Sequence, residues 1–243
     1  MWIADRVEKL VPYLRRYARA ATGETELGDK CVERVLQSVL TQSLDVGFDA
    51  DRFDRERLYM LLDEELDKVR SVPNAKARRA LLLIAVEGFS EAITCRILGV
   101  RADDLPEMLA IAEKDFAEST ATRMLIIEDE PLISAQLKRL TEGLGHSVIG
   151  VASTAEKAVA LNKEHEPDII LCDIMLADGS LGTDAIAQMQ LPSSVPVVFI
   201  TAYPEKYLST SNEGPSYLIT KPFSQDYLKA VIGHALLNVQ KDE

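Results

Sequence analysis

Five side chains at the ends of short apolar runs in the second half of the chain share one chemistry. Glu128 and Asp129 follow MLII, Asp173 closes DIILCD, Thr201 closes VPVVFIT, and Lys221, with Pro222 behind it, follows SYLIT. If the runs are neighbouring strands, carboxylates, a hydroxyl and an ammonium converge on one edge. Glu128, Asp129 and Asp173 together are costly unless a divalent cation lies among them. Oxygen-only ligation of this kind suits Mg²⁺, which keeps some waters and accepts a phosphoryl oxygen. Asp173 is then placed as a nucleophile for phosphoryl transfer, with the cation and Lys221 offsetting charge on the equatorial oxygens. The backbone carbonyl of Met175, two residues on, is placed to complete the metal shell.

Such convergence needs a particular scaffold. The five β-rich runs alternate with helical stretches around 131–143, 154–164, 182–190 and 224–238, the pattern of a parallel sheet covered on both faces. Ligands of such sheets sit at the carboxyl ends of the strands, where these residues lie. Before residue 120 the apolar positions recur at helical spacing instead, as in Val7, Leu10, Val11 and Leu14, or Leu58, Leu61, Leu62 and Leu66. The small, polar stretch AESTATR at 117–123 reads as a linker. Two domains follow, an all-helical one over 1–120 and an α/β one over 121–243.

The chain has 243 residues, enough for two cores, and a formal charge of −12 from 27 basic and 39 acidic residues. That charge repels polyanions unless a basic patch stands out locally. With 47% apolar residues and no run of uncharged apolar positions long enough to span a bilayer, the composition disfavours disorder and membrane spanning. Cys31, Cys95 and Cys172 have no metal-ligand spacing and read as buried thiols in a reducing compartment. Charges at Asp5, Arg6, Glu8 and Lys9 interrupt any signal-peptide core, so a cytoplasmic location is expected.

The motifs LIIEDEP, LCDIMLADGSLG, FITAY and LITKPF, in that order, resemble the receiver domain of two-component response regulators. The separations of 44 residues from Asp129 to Asp173, 28 on to Thr201 and 20 on to Lys221 suit it. The resemblance covers Arg123 to about Val239 and implies a flavodoxin-like (βα)5 fold. It implies that Asp173 accepts a phosphoryl group from a sensor histidine kinase or phosphotransfer protein, and that Glu128 and Asp129 hold Mg²⁺. Thr201 would contact the phosphoryl group, and Lys221 would pair with it beside a cis peptide to Pro222. Catalysis is then confined to the protein's own phosphorylation and dephosphorylation. Two positions depart from the pattern: Leu176 follows Met175 where proline is common, and Tyr217 lies four residues before the lysine rather than three. Tyr203 and Tyr207 therefore join Tyr217 and Phe223 as candidates for the switch surface.

In the first half, a helix through Leu81–Ala85, a turn at Gly88, a helix through Ile93–Leu98, a turn at Gly99 and a helix from Asp104 make a helix-turn-helix, with Ala92 and Ile97 expected between helices. A DNA reader would present basic side chains on the third helix. From Arg101 to Glu118 there are six acids against Arg101 and Lys114 alone. EGFSEAITCRILGV resembles the region-four helix-turn-helix of extracytoplasmic-function sigma factors, within about 60–116. LVPYLRRYARAATGETELGDKCVERVL resembles their region two, within about 1–50. The charged FDADRFDRER at Phe48–Arg57 has only two aromatics where a promoter-melting segment would be rich in them.

A sigma-like half before a receiver is the layout of the general stress response regulators of alphaproteobacteria. That resemblance implies a phosphorylation-activated anti-anti-sigma factor. The receiver would cover the sigma-like half until Asp173 is phosphorylated, and the freed half would sequester a NepR-type anti-sigma factor, releasing the stress sigma factor. Tyr227 is a further docking aromatic, and Leu10, Leu14 and Tyr17 serve either core or partner groove. The alternatives are a DNA-binding response regulator and a magnesium phosphohydrolase, the latter lacking a visible general base. Arg15, Arg16 and Arg19 read as a solvated basic face or a place to meet an acidic partner. His146, His165 and His234, near element ends, form no site.

Overall fold

Apolar side chains at three- and four-residue spacing give the first half its helices. A computed structural model describes residues 3–43, 54–69, 74–118, 121–176, 178–204, 207 and 217–239. The main segments of its two compact units are Met1–Lys114 and, for the second, Asp115–Pro204 with Tyr217–Glu243. The first unit holds α1 (Ile3–Thr22), α2 (Thr25–Ser43), α3 (Arg55–Leu66), α4 (Ala75–Ala85) and α5 (Glu91–Leu98). A 3-10 turn, Ala102–Asp104, leads into α6 (Leu105–Glu118), where the units divide.

Leu14, Tyr17, Val32, Val35, Leu58 and Leu62 form the centre of the helical core, so Leu14 and Tyr17 belong to it rather than to an open groove. Leu10 is half-buried. Side-chain caps start two of the helices: Asp54 accepts from the Arg57 amide at 2.8 Å and Ser90 from that of Ile93 at 3.4 Å. Gly99, with φ 63°, ends α5 in the left-handed conformation that the turn of a helix-turn-helix requires. Ile97 is buried there, but Ala92 is exposed, facing solvent one residue into the helix instead of packing between helices. The expectation for Arg16 and Arg19 also fails, since both are buried, in ion pairs with Glu87 and Asp29. Arg15 is half-buried. Phe48–Phe53 lie outside the described residues.

The second unit is built on short apolar runs, buried on both faces in its central strands. Its strands are β1 (Arg123–Ile127), β2 (Ser147–Ala152), β3 (Ile169–Asp173), β4 (Val197–Thr201) and β5 (Tyr217–Thr220). They form one parallel sheet in the order β2-β1-β3-β4-β5. Helices α7 (Pro131–Gly143), α8 (Ala155–His165), α9 (Gly182–Met189) and α10 (Gln225–Val239) cover it. Leu125, Ile127, Ile170 and Cys172 pack with Ala158, Ala185 and Met189 from α8 and α9. This is the doubly wound α/β arrangement expected from the sequence. Of the stretch read as a linker, Ala117 and Glu118 still belong to α6 and Arg123 opens β1. His234 sits buried in the middle of α10, not near its end. All three cysteines are free and buried.

Helices α1 and α2 approach so closely that a Cβ on Gly28 would lie 2.6 Å from the Arg19 amide nitrogen. That approach carries Asp29 to the Arg19 guanidinium, 2.7 Å away. Replacing Gly28 with alanine must spread the pair, and chemical denaturation of the helical unit is expected to show a loss of about 1–3 kcal/mol, as for other overpacked sites.

Candidate functional site

Parallel register puts the chemistry on one edge. Ile127 is level with Cys172, Asp173 with Ile200, and Thr201 with Thr220. Glu128 therefore leaves β1 beside Asp173, and Thr201, which ends β4, and Lys221, which follows β5, lie within two residues of the same level. The Lys221 amide donates to the Thr201 carbonyl at 2.8 Å, and Lys221-Pro222 is a cis peptide.

The Lys221 ammonium sits among the carboxylates. Its Nζ donates to Asp173 Oδ2 at 2.6 Å and lies 2.9 Å from Glu128 Oε2 and 3.8 Å from Glu130 Oε1. Glu130, the third acid of the EDE run that follows the first strand, joins them at the margin of the site. Burial pushes the Glu128 carboxyl up, against the hydrogen bond to Lys221. Burial also opposes the charge on Lys221, but the hydrogen bonds to Asp173 and Glu128 outweigh it and hold the ammonium above its ordinary value. The Met175 amide donates to the remaining oxygen of Asp173, Oδ1, at 3.1 Å.

Glu128, Asp129 and Asp173 each bring a carboxylate oxygen within 4.8 Å of the others. Met175 faces Leu181 across an isolated antiparallel bridge whose bonds are made by their neighbours: Leu176 to Ser180 and Gly182 to Ile174. Neither bond uses the Met175 carbonyl. Thr201 is buried, and its hydroxyl oxygen accepts from the Tyr203 amide at 3.1 Å.

The aromatics divide. Tyr217 is buried, with its hydroxyl accepting from Asn238 at 2.9 Å, and Tyr227 is buried beneath β5, its hydroxyl donating to the Leu218 carbonyl. Tyr203 is 62% exposed, Pro222 is exposed, and Tyr207 and Phe223 are half-buried. Next to Asp173, burial pushes the Cys172 thiol well up and leaves it a packing group.

On the helix-turn-helix, two arginines are spent on acids of the same unit. Arg96 of α5 binds Glu56 with Nε at 2.6 Å, and Arg101 binds Asp104 at 2.7 Å. Glu107 and Glu113 on α6 are exposed.

Residues 124–233 match the response regulator receiver domain model, 7–63 the Sigma2 domain of PhyR, and 74–119 the sigma-like domain of response regulator PhyR. The chain is 40% identical over 253 residues to the phyllosphere-induced regulator PhyR of Methylorubrum extorquens, covering 97% of this chain and 95% of that protein. It superposes on the response regulator PhyR from Brucella abortus with a TM-score of 0.86 at 38% identity, covering 98% of this chain and 95% of that one. The anti-anti-sigma factor PhyR from Bartonella quintana gives 0.85 at 37% identity, with coverages of 97% and 96%.

Gly182 opens α9 against the end of β3, where a Cβ would overlap the Asp173 carbonyl and lie 2.5 Å from Cys172 Sγ. A Gly182→Ala variant should lower the denaturation midpoint of the α/β unit, by roughly 1–3 kcal/mol in stability. A midpoint equal to wild type would show that the end of β3 is not held this tightly.

Proposed function

The chain belongs to the PhyR family of response regulators, and from that membership we propose that it works as a phosphorylation-activated anti-anti-sigma factor. Phosphorylation of Asp173 frees the sigma-like unit to bind and sequester an anti-sigma factor of the NepR type, which releases the general stress sigma factor. The observation that carries this reading is a strand-end carboxylate hydrogen-bonded to a lysine, in one chain with a sigma-like fold whose helix-turn-helix arginines are paired with acids.

The donor is a sensor histidine kinase or phosphotransfer protein: an Asp173 oxygen forms a bond to phosphorus as the phosphohistidine N–P bond breaks. Lys221, hydrogen-bonded to Asp173, is placed to meet the negative charge of the transferred group. Thr201 is buried one register step away, and turning its hydroxyl toward a phosphoryl oxygen disturbs its bond from the Tyr203 amide. Tyr203 is therefore the aromatic best placed to report phosphorylation at the surface, with Tyr207, Pro222 and Phe223 as further switch positions and Tyr217 held in the core.

The donor set fits Mg²⁺. The donors are oxygens only, and one ammonium faces three clustered carboxylates, a deficit that a divalent cation offsets. Glu128, Asp129, Asp173 and the Met175 carbonyl would hold it. Bound there, the ion would supply positive charge for the phosphoryl oxygens. The domain boundaries we adopt are 1–120 and 121–243. Among the described residues no helix is long and apolar enough to cross a membrane. Three free, buried thiols support a reducing, cytoplasmic setting.

Direct DNA binding is the weaker reading, because phosphate contacts draw on free cations and Arg96 and Arg101 are engaged by Glu56 and Asp104. Phosphotransfer to wild type and to Asp173→Ala, followed by retention of the anti-sigma factor, tests the proposal. Phosphorylated wild type should bind at least about tenfold more tightly than unphosphorylated, a coupling of about 1.4 kcal/mol or more. Asp173→Ala should show no change. Retention by the variant that rises with kinase as it does in wild type would refute Asp173 as the acceptor.

A further inference from the structure

The stretches that match separate family models, 7–63 and 74–119, meet around a buried carboxylate that neither the phosphoacceptor site nor the metal cluster uses. Glu87 follows the end of α4 and is 4% exposed. Its amide donates to the Leu82 carbonyl, and Gly88, at φ 69°, turns the chain so that Phe89 folds back into the core.

Four donors face the carboxylate. Arg16 of α1 reaches it with Nε on Oε1 and Nη2 on Oε2, both at 3.0 Å; the Tyr59 hydroxyl of α3 donates to Oε2 at 2.6 Å; Arg55 Nη2 lies 3.5 Å from the same oxygen. The arginines do a second task. Arg16 donates to the Val86 carbonyl and Arg55 to that of Glu87, tying down the backbone just past the end of α4. A carboxylate at a helix C-terminus is at the unfavourable end of the dipole, and two guanidiniums reverse that balance. Arg55 also lies 4.1 Å over the Phe89 ring, itself edge-on to Tyr59 at 4.9 Å.

An apolar contact between the two stretches would tolerate sliding. A desolvated carboxylate with fixed donors from α1 and α3 does not, because each displaced donor leaves a buried charge unpaired. A second buried pair repeats the connection: Arg79 of α4 holds Asp63 of α3 at 2.7 Å, and Tyr17 of α1 donates to the same carboxylate at 3.3 Å.

We infer that Glu87, with Arg16 and Arg55, is a set of positioning residues for partner capture: it locks the region-two-like and region-four-like stretches into one body whose fixed geometry is what the anti-sigma factor recognises. The inference rests on the anti-anti-sigma reading and adds the residues that make the mimic rigid.

The test uses the full chain with spin labels at Lys9→Cys on α1 and Glu91→Cys on α5, both exposed positions, and compares wild type, Glu87→Gln, Arg55→Met and Arg55→Lys. Pulsed distance measurements should give one narrow distribution in wild type and Arg55→Lys and a broadened one in Glu87→Gln and Arg55→Met. In the phosphorylated state, affinity for the anti-sigma factor should fall about tenfold in Glu87→Gln and severalfold in Arg55→Met, with Arg55→Lys within about twofold of wild type. Phosphorylation of Asp173 should proceed at the wild-type rate in all four. Should Glu87→Gln fail to fold, the half-exposed Arg55 still decides the matter through Arg55→Met. Narrow distances or undiminished affinity in a folded Arg55→Met variant overturn the inference. If phosphorylated wild type itself fails to bind, the anti-sigma reading fails, while the distances still report on the lock.

Discussion

Three carboxylates crowd one edge of a parallel sheet against a single ammonium, and the second half of the molecule is organised around that imbalance. Carboxylates about 5 Å apart repel by roughly 3–4 kcal/mol per pair at the effective dielectric of a protein edge, so Glu128, Asp129 and Asp173 are held together by the fold and not by mutual attraction. The fold supplies the force through the central strands, whose apolar residues are buried on both faces from Met124 to Ile127 and from Ile169 to Cys172. It supplies the aim through register, since β1, β3, β4 and β5 end within two residues of one level. Gly182 lets α9 begin directly against the Asp173 backbone. An edge so built is poised for added positive charge and, once that charge is present, for a phosphoryl group.

The helical unit uses charge in the opposite way. Among the described residues several of its arginines are paired with acids: Arg16 and Arg19 are buried on Glu87 and Asp29, Arg79 on Asp63, and Arg96 and Arg101 are engaged outside by Glu56 and Asp104. Arg96 and Arg101 of its helix-turn-helix are thereby engaged by acids of the same unit, while Glu107 and Glu113 stay exposed. Buried ion pairs are weak sources of stability, because desolvation consumes most of their attraction. Their presence in this core is better explained by the single arrangement they enforce.

The α/β unit was legible because its signals are local and periodic. Short apolar runs alternate with helical stretches that carry their own period, and an acid, hydroxyl or lysine directly after an apolar run has only one place to go in a parallel sheet. Asp173, Thr201 and Lys221 could be aligned by counting. Gly182 was not, since it matters through a contact across the sheet edge that no spacing rule encodes. In the helical unit the core positions were legible at helical period, yet Arg16 and Arg19 were read as solvent-facing. A charge on an amphipathic helix is by default an outer residue, and the carboxylate that draws Arg16 inward lies 71 residues away. Ala92 erred the other way, because a small apolar residue in a first helical turn is compatible with either face.

The central claim is that one phosphoryl group at this edge changes what the sigma-like unit binds. The most direct measurement is the affinity of the unmodified full chain for its anti-sigma factor by calorimetry, with Mg²⁺ alone and with Mg²⁺ and beryllofluoride, which stands in for the phosphoryl group on Asp173. Tighter binding with beryllofluoride, by about tenfold or more, is the predicted result. Equal affinity in the two states would contradict the account.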